Sequence, residues 1–267
     1  MRQHPPRKAQ FSPTWQTAGN AHHNRPCPGP YAMVAAPTPL FEPAEPVVIP
    51  VVGDTRVFPV RRVYCVGRNY EDHAKEMGFT GREPPFFFLK PGDTVLPVAA
   101  GQTGRMHYPS LTQNLHHEVE LVVAIGKGGR DIPAAQAHLH VFGYAVGLDM
   151  TRRDLQNEMK KQGRPWCIGK AFEQAAPIGP ITPAPQATDV LKARIALTVN
   201  GTVRQSSTTD KLIWSVAETI EHLSRAWTLA PGDLIYTGTP EGVGAVVAGD
   251  TLVARVDGLP ELRLELV

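Results

Sequence analysis

The sequence has 267 residues, including 24 glycines and 26 prolines, and carries a formal net charge of +2. This share of glycine and proline is high for a helix bundle, and it lacks the repeat of a collagen. It therefore favours a loop-rich, β-dominated enzyme. The balanced charge gives no reason to expect nucleic acid or an anionic membrane as partner, and no apolar run reaches the roughly 18 residues that span a bilayer. Cys27, Cys65 and Cys167 lack a CxxC spacing, so they indicate neither a disulfide scaffold nor a zinc site, and they suit a cytoplasmic enzyme.

The first 40 residues differ in composition from the remainder. They contain four Lys or Arg and no acidic residue, and residues 1–50 hold 11 of the 26 prolines. Since no strand or helix period is visible there, we predict a disordered extension over 1–45 and a single catalytic domain over 46–267. Two alternatives are a start at Met33 and a basic targeting peptide.

Short apolar runs and periodic segments predict a mixed α+β body with short peripheral helices. Asn200-Gly201 is the strongest hairpin signal, and Thr151 and Asp154 have a spacing typical of a capping box. Gly78 and Gly163 would each follow the end of a helix. Strands are predicted at 47–49, 62–67, 118–125, 141–148 and 195–199, and helices at 69–77, 151–162 and 212–227.

Two acidic residues interrupt one of the predicted strands. Glu118 and Glu120 are two positions apart, so their side chains point to the same face of the strand. Two neighbouring buried carboxylates repel each other, and a divalent cation would offset that repulsion. The alternative is a solvent-facing polar side of an edge strand.

A third carboxylate follows another predicted strand. Asp149 ends the run 141–148, where an acidic residue is more commonly a helix N-cap. Together with Glu118 and Glu120 it would form an oxygen-only ligand set, which suits Mg²⁺, Mn²⁺ or Ca²⁺ rather than Zn²⁺. His116 and His117 adjoin this set, and we expect them to lie outside the ligand shell.

Several other residues have the chemistry of a site. His73 and Glu76 are three apart on a predicted helix and could act as a general base on water, although spacing alone favours a surface ion pair. Lys170 lies among small and apolar residues and is either buried and catalytic or directed to the surface. Arg153 and Gln156 share the helix face that follows Asp149, or a solvated one.

The glycine-rich segment 238–244 is a weak nucleotide signal, because no Lys-Ser or Lys-Thr follows it and no GxGxxG pattern opens a helix. Its backbone N–H groups would suit a substrate carboxylate instead. Cys167 has no histidine partner that would identify it as a nucleophile.

Six segments, in unbroken order from about Val57 to the C-terminus, resemble the fumarylacetoacetate hydrolase family and in particular its short acylpyruvate-hydrolase branch. No motif position departs from the family pattern. The segments are Val66-Gly-Arg-Asn-Tyr-Glu-Asp-His73-Ala-Lys-Glu76, Phe88-Leu-Lys90-Pro91, Asn114-Leu-His-His-Glu118-Val-Glu120-Leu121, Gly147-Leu-Asp149-Met-Thr-Arg-Arg-Asp-Leu-Gln156, Lys170-Ala-Phe172 and Tyr236-Thr-Gly-Thr-Pro-Glu-Gly-Val-Gly244.

The resemblance implies the mixed β-sandwich roll of that family's C-terminal domain, usually as a homodimer. It implies Mg²⁺ or Mn²⁺ held by Glu118, Glu120 and Asp149, with no organic cofactor. It further implies that His73 and Glu76 activate water, that Lys170 stabilises the oxyanion, and that four residues place the substrate oxygens: Lys90, Arg153, Gln156 and Thr239.

The implied reaction is hydrolysis of the C–C bond of 3-fumarylpyruvate, a 2,4-dioxo diacid of gentisate-type aromatic catabolism, to fumarate and pyruvate. Within the family, other acylpyruvates, oxaloacetate decarboxylation and dienedioate isomerisation remain alternatives, because each begins at a metal-bound 2-oxo acid. A maleyl isomer of the substrate also remains open. A non-catalytic module that binds 2-oxo acids is the alternative from another class.

Overall fold

The computed structural model describes residues 38–71 and 82–267 and is built mainly of β-strands. The chain divides into two compact units, residues 1–43 and residues 44–267, and the described strands and helices belong to the second. Residues 38–46 are exposed and form neither strand nor helix, while the rest of the predicted extension, and most of the predicted helix 69–77 with Gly78, lie outside the described residues. Among the described helices, none is long and apolar enough to cross a membrane.

The described part of the chain contains eighteen strands. They are β1 (Val48–Pro50), β2 (Val57–Pro59), β3 (Arg62–Gly67), β4 (Phe86–Pro91), β5 (Val95–Pro97), β6 (Thr103–Met106), β7 (Leu115–His117), β8 (Val119–Ile125), β9 (Val141–Leu148), β10 (Thr151–Arg152), β11 (Ala176–Ile178), β12 (Thr182–Pro183), β13 (Arg194–Val199), β14 (Thr202–Thr208), β15 (Leu234–Tyr236), β16 (Gly244–Val246), β17 (Thr251–Val256) and β18 (Leu262–Leu266).

Helices in the described residues are short. The α-helices are α1 (Arg153–Lys161), α2 (Cys167–Lys170) and α3 (Val216–Ala226). The 3₁₀ turns are Gly92–Thr94, Ala134–His140, Ala184–Gln186, Val190–Lys192 and Thr209–Lys211.

Two large sheets dominate the second unit. An eight-stranded mixed sheet has the order β4-β3-β15-β8-β9-β11-β5, with β12 paired to β9, and a five-stranded sheet has the order β14-β13-β17-β18-β6. Smaller sheets join β10, β7 and β16, and join β1 to β2. Strand β8 lies inside the larger sheet, and all seven of its residues are buried. This explains its nearly continuous apolar sequence.

Alternate side chains of β8 enter two different cores. Leu121 and Val123 belong to a large cluster that includes Leu197 and Leu252 of the five-stranded sheet. Val122 and Ala124 enter a second cluster on the opposite face. Because the two sheets share one core and the helices lie at the edges, the predicted mixed β-sandwich with short peripheral helices is confirmed.

Most predicted elements are present, with shifted ends. Strand β3 has its predicted bounds, and Asn200 and Gly201, with φ of 50° and 77°, form the predicted hairpin turn between β13 and β14. The predicted helix 151–162 is wrong at its start: Thr151 lies in β10, and Arg152 precedes α1 without a side-chain cap. The predicted helix 212–227 begins later, after Ser215, which forms a capping box with Glu218.

Candidate metal centre and pocket

The register between β8 and β9 brings the three predicted carboxylates together. Glu120 pairs with Gly147 across the two antiparallel strands, and the backbone N–H of Asp149 donates to the carbonyl of Glu118 at 2.9 Å. One oxygen from each of Glu118, Glu120 and Asp149 lies within 4.8 Å of the others, and all three residues are buried. Asp149 is therefore not the N-cap of α1, which begins four residues later.

Lys170 occupies the space between two of these carboxylates. Its Nζ donates to Glu118 Oε2 at 2.9 Å, to Asp149 Oδ2 at 2.6 Å and to Thr151 Oγ1 at 2.7 Å. These contacts use all three protons of an ammonium group. Burial alone would lower the pKa of Lys170, but the charges of Asp149 and Glu118 outweigh it and raise that pKa.

Two more cations hold the same carboxylates from other sides. Lys90 Nζ lies 2.9 Å from Asp149 Oδ1, and it also donates to the carbonyls of Met150 and Lys170. Arg153 donates to Glu118 Oε1 and, at 2.5 Å, to Gln156 Oε1. The chain thus supplies much of the compensation that the sequence argument assigned to a metal ion.

Glu120 is the exception among the three carboxylates. In the described residues it forms no ion pair with Lys or Arg, and it accepts one hydrogen bond, from the backbone N–H of Gly238 at 2.8 Å. Burial, together with the charges of Asp149 and Glu118, raises the pKa of Glu120 well above its usual range. A buried all-oxygen set with one uncompensated member fits a hard divalent cation. The loop N–H that was expected for a substrate carboxylate holds Glu120 instead.

The carboxylates lie on the wall of a cleft that opens to solvent. Beside them the wall is formed by the polar side chains of α1, α2 and the 237–244 loop, and by an aromatic group on β4 and before α2. The lining residues are Val66, Gly67, Arg68, Phe86, Phe88, Glu118, Glu120, Asp149, Arg153, Gln156, Trp166, Lys170 and Thr239.

The predicted substrate-contacting residues divide into two groups. Arg153, Gln156 and Thr239 line the cleft. Lys90 is 1% exposed and is not among the lining residues. Its ammonium group contacts Asp149 and two backbone carbonyls, and the contact between Lys90 and substrate stays a prediction. His73 and Glu76 lie outside the described residues.

The two histidines next to Glu118 are not members of the carboxylate cluster, as expected. His116 contacts Asn114 Oδ1 at 3.0 Å, and burial, with the nearby charge of Arg153, lowers its pKa to about 4. His117 Nδ1 lies 3.0 Å from Gln205 Oε1. Cys167 is an exposed free cysteine at the start of α2.

Several cleft residues were missed from the sequence. Arg68 has a positive φ of 54° and its guanidinium stacks on the Phe86 ring at 4.8 Å. The Phe86 and Trp166 rings meet edge to face, with centroids 5.5 Å apart. Arg68 lies inside the first family motif, so the sequence could have indicated its place in the cleft. The contact between Phe86 and Trp166 joins distant segments, and no local sequence pattern indicates it.

The fold and the carboxylate set match a known protein class. Residues 62–267 match the family model described as fumarylacetoacetate (FAA) hydrolase C-terminal. The chain belongs to the fumarylacetoacetate hydrolase family. This confirms the resemblance given by the sequence motifs.

Individual relatives are similar over most of their length. The fumarylpyruvate hydrolase of Ralstonia sp is 52% identical over 68% of this chain and 92% of that protein. The mitochondrial oxaloacetate tautomerase FAHD1 of Rattus norvegicus is 42% identical over 77% and 91%. The crystal structure of fumarylpyruvate hydrolase from Pseudomonas aeruginosa, in complex with Mn²⁺ and pyruvate, is 60% identical, with a TM-score of 0.84 over 86% of this chain and 99% of that one.

Proposed function

We propose that this chain is a hydrolase that cleaves the C–C bond of 3-fumarylpyruvate to give fumarate and pyruvate. The observation that carries the proposal is the buried cluster of Glu118, Glu120 and Asp149 on the wall of the cleft. The similarity to fumarylpyruvate hydrolases at 52% and 60% identity supports the same reaction, and one of these relatives is described with Mn²⁺ and pyruvate.

Glu118, Glu120 and Asp149 would hold the divalent cation, Mg²⁺ or Mn²⁺, and we assign no organic cofactor. When bound, the cation would supply Lewis acidity to the 2-oxo acid end of the substrate. Arg153, Gln156 and Thr239 line the cleft beside the carboxylates, where they would orient the oxygens at that end. Lys90 would act by positioning Asp149.

We assign the proton transfer to His73 and Glu76, on the basis of the family motif. Glu76 would hold the imidazole of His73, which removes a proton from water as the oxygen adds to the acyl carbonyl carbon. The bond between that carbon and the pyruvyl methylene then breaks. Its electron pair leaves with pyruvate as the enolate, which takes up a proton to give pyruvate, while the acyl part leaves as fumarate.

Lys170 would stabilise the negative charge that develops on the acyl oxygen. In the described geometry its three protons are directed to Glu118, Asp149 and Thr151. The stabilising role therefore requires one of these contacts to open as the substrate binds. Its position between two of the carboxylates also makes Lys170 a structural link in the site.

The aromatic part of the cleft wall supports a substrate with two acidic ends. Phe86, Phe88 and Trp166 provide an aromatic, apolar wall that suits an unsaturated carbon chain. Arg68 adds a guanidinium group on the same wall, a group that pairs well with carboxylates. This arrangement favours an acyl chain that ends in a carboxylate.

A second candidate is an enzyme of oxaloacetate, supported by the 42% identity to a protein named oxaloacetate tautomerase. Oxaloacetate presents a similar 2-oxo acid end but is shorter, so it would leave the aromatic wall unused. Isomerisation of a dienedioate and simple binding of a 2-oxo acid remain the alternatives from the sequence. We further propose that the enzyme is a cytoplasmic homodimer serving gentisate-type aromatic catabolism.

The decisive measurement follows the enol absorbance of fumarylpyruvate with Mg²⁺, with Mn²⁺ and with chelator, beside oxaloacetate as control. We expect loss of absorbance with either metal, appearance of fumarate and pyruvate in equal amounts, and no turnover in chelator. Turnover of oxaloacetate alone would replace the hydrolase with the second candidate, and unchanged hydrolysis in chelator would remove the metal role.

Two variants separate the assigned roles. His73→Ala should abolish hydrolysis yet bind Mn²⁺ with unchanged affinity, whereas Glu118→Ala should lose Mn²⁺ affinity itself. A fully active His73→Ala enzyme would refute the water-activating assignment.

A further inference from the structure

A buried glutamine from the five-stranded sheet reaches the wall of the cleft. Gln205 is 1% exposed and lies on β14, far along the chain from β8. Its Oε1 accepts from the backbone N–H of Val119 at 3.1 Å and lies 3.0 Å from His117 Nδ1. Its Nε2 donates to Thr239 Oγ1 and to the carbonyl of Pro240, both at 2.8 Å.

The orientation of this carboxamide is fixed by backbone groups at both ends. The N–H of Val119 can only donate and the carbonyl of Pro240 can only accept, so the oxygen and nitrogen of Gln205 cannot be exchanged. His117 must then carry a proton on Nδ1. All four hydrogen-bonding positions of the amide are used, which is what a buried polar side chain requires.

A local irregularity of β14 supports this placement. The pairing of β13 with β14 shifts between Leu197 and Thr198, which leaves Arg204 as an extra residue in β14. Such bulges redirect neighbouring side chains. The loop after β15 packs onto the same point: a Cβ on Gly242 would lie 2.2 Å from the carbonyl oxygen of Arg204.

The polarity of the contact with Thr239 has a chemical consequence. Because Gln205 supplies the proton between the two side chains, the hydroxyl oxygen of Thr239 is the acceptor and its own proton remains available to another group. Thr239 lines the cleft. We infer that Gln205 is a positioning residue, which fixes Thr239 as a hydrogen-bond donor to the oxygens of a 2-oxo acid and ties it to the strand between Glu118 and Glu120.

The inference rests on the proposed function, and pyruvate binding tests it apart from turnover. The test uses the full-length protein at saturating Mn²⁺, with pyruvate as the probe. Gln205→Glu keeps the size of the side chain and the oxygen that accepts from Val119 and His117. It replaces the donating NH₂ group with an accepting oxygen, so the hydroxyl of Thr239 would donate to position 205 instead of to the substrate. We expect the pyruvate Kd to rise and kcat/KM to fall about tenfold to hundredfold, the range for a lost hydrogen bond to a charged group.

A double-mutant cycle with Thr239 gives the specific outcome. In a Thr239→Val background, Gln205→Glu should cost less than about twofold further, since the two changes remove one interaction. Thr239→Ser should restore most of what Thr239→Val loses. The exposed neighbour Ser206 provides the matched control, and Ser206→Ala should behave as the wild type.

Independent, additive losses from Gln205→Glu and Thr239→Val would overturn the inference. If Gln205→Glu does not fold, the Thr239 variants still test the inference. A wild-type pyruvate Kd in Thr239→Val would overturn the inference, whereas a raised Kd that Thr239→Ser restores would support it. A wild-type protein that binds pyruvate but leaves fumarylpyruvate intact would defeat the proposed function and leave the pyruvate test standing. Absence of pyruvate binding would defeat both.

Discussion

At the scale of single residues, the cationic side chains of the cleft differ in their surroundings. Lys170 contacts both Glu118 and Asp149. Arg68 lies on the aromatic wall of the cleft, where its guanidinium stacks on Phe86 and lies 3.9 Å from the carboxylate of Glu83. A guanidinium at an apolar wall is suited to a substrate carboxylate because partial burial strengthens the pairing. Arg68 is therefore the residue expected to discriminate between diacids and monoacids.

We predict that Arg68→Gln lowers kcat/KM for fumarylpyruvate about tenfold to hundredfold, the range for a lost charge-assisted hydrogen bond. Acetylpyruvate shares the 2,4-dioxo acid end but has no distal carboxylate, so its kcat/KM should change little. Parallel steady-state kinetics with both substrates measure the difference, with Arg68→Lys as the variant that keeps the charge. Equal losses for the two substrates would show that Arg68 does not recognise the distal end.

Lys170 gives a prediction about stability as well as activity. Removing its ammonium group leaves two buried carboxylates with one fewer partner, and breaking a buried ion pair from one side typically costs roughly 3 kcal/mol. In chelator, Lys170→Met should therefore lower the free energy of unfolding by about that amount, and Mn²⁺ should restore more stability to the variant than to the wild type.

Denaturant unfolding with and without Mn²⁺ measures both effects, and the exposed Lys127 provides the control. Lys127→Met should change the free energy of unfolding by less than about 0.5 kcal/mol. If Lys170→Met were as stable as the wild type in chelator, the described ion pairs would not contribute to folding.

At the scale of elements, the sequence predicted what depends on short-range order. Strand β3, the 200–201 turn and the alternation that places Glu118 and Glu120 on one face follow from local periodicity and turn chemistry. The predicted capping box at Thr151 failed for a non-local reason. Thr151 pairs with His116 in a separate small sheet and accepts a hydrogen bond from Lys170, so its hydroxyl is used in the site.

What the sequence could not supply are the contacts between distant strands. Lys90 carries no local sign that its ammonium group ends behind Asp149, and Gln205 looks like an ordinary polar residue of an edge strand. Both are placed by sheet order and by a bulge, which depend on the pairing of segments far apart in the chain. The family motifs indicated the three clustered carboxylates, but they did not show how Lys90 and Gln205 contact the residues around that cluster.

The pairing of β8 with β9 can be tested through a glycine. A Cβ on Gly147 would lie 2.6 Å from a methyl of Val122 and 2.7 Å from the ring of Tyr236, directly opposite Glu120. Gly147→Ala should cost about 1–3 kcal/mol of stability, as overpacking does, and should weaken Mn²⁺ binding because the strands must separate.

Gly179→Ala is the matched control, since the nearest atoms to its added Cβ are 3.7 Å away, at ordinary contact distance. It should leave Mn²⁺ affinity unchanged. Chemical unfolding and Mn²⁺ titration of the two variants side by side give the comparison. Equal Mn²⁺ affinities would show that metal binding does not depend on the pairing of β8 with β9.

At the scale of the whole molecule, the hairpin formed by β1 and β2 lies outside the segment matched by the family model but inside the second compact unit. Ile49 is fully buried in the second core, Val51 bridges to Ile181, and the N–H of Val60 donates to the carbonyl of Val47 at 2.8 Å. These contacts make β1 a part of the fold. The functional boundary should therefore lie before Val47 rather than at the start of the family match.

We predict that residues 44–267 alone retain the melting temperature, Mn²⁺ affinity and kcat/KM of the full chain. A shorter protein, residues 53–267, lacks β1 and leaves the second core open at the Ile49 position, whose burial is worth roughly 1.5–3 kcal/mol. It should melt at a clearly lower temperature. Calorimetry and the enol assay on the three lengths test this; reduced activity in 44–267 would assign the residues before Ala44 a role in catalysis, and full stability of 53–267 would show that β1 is dispensable.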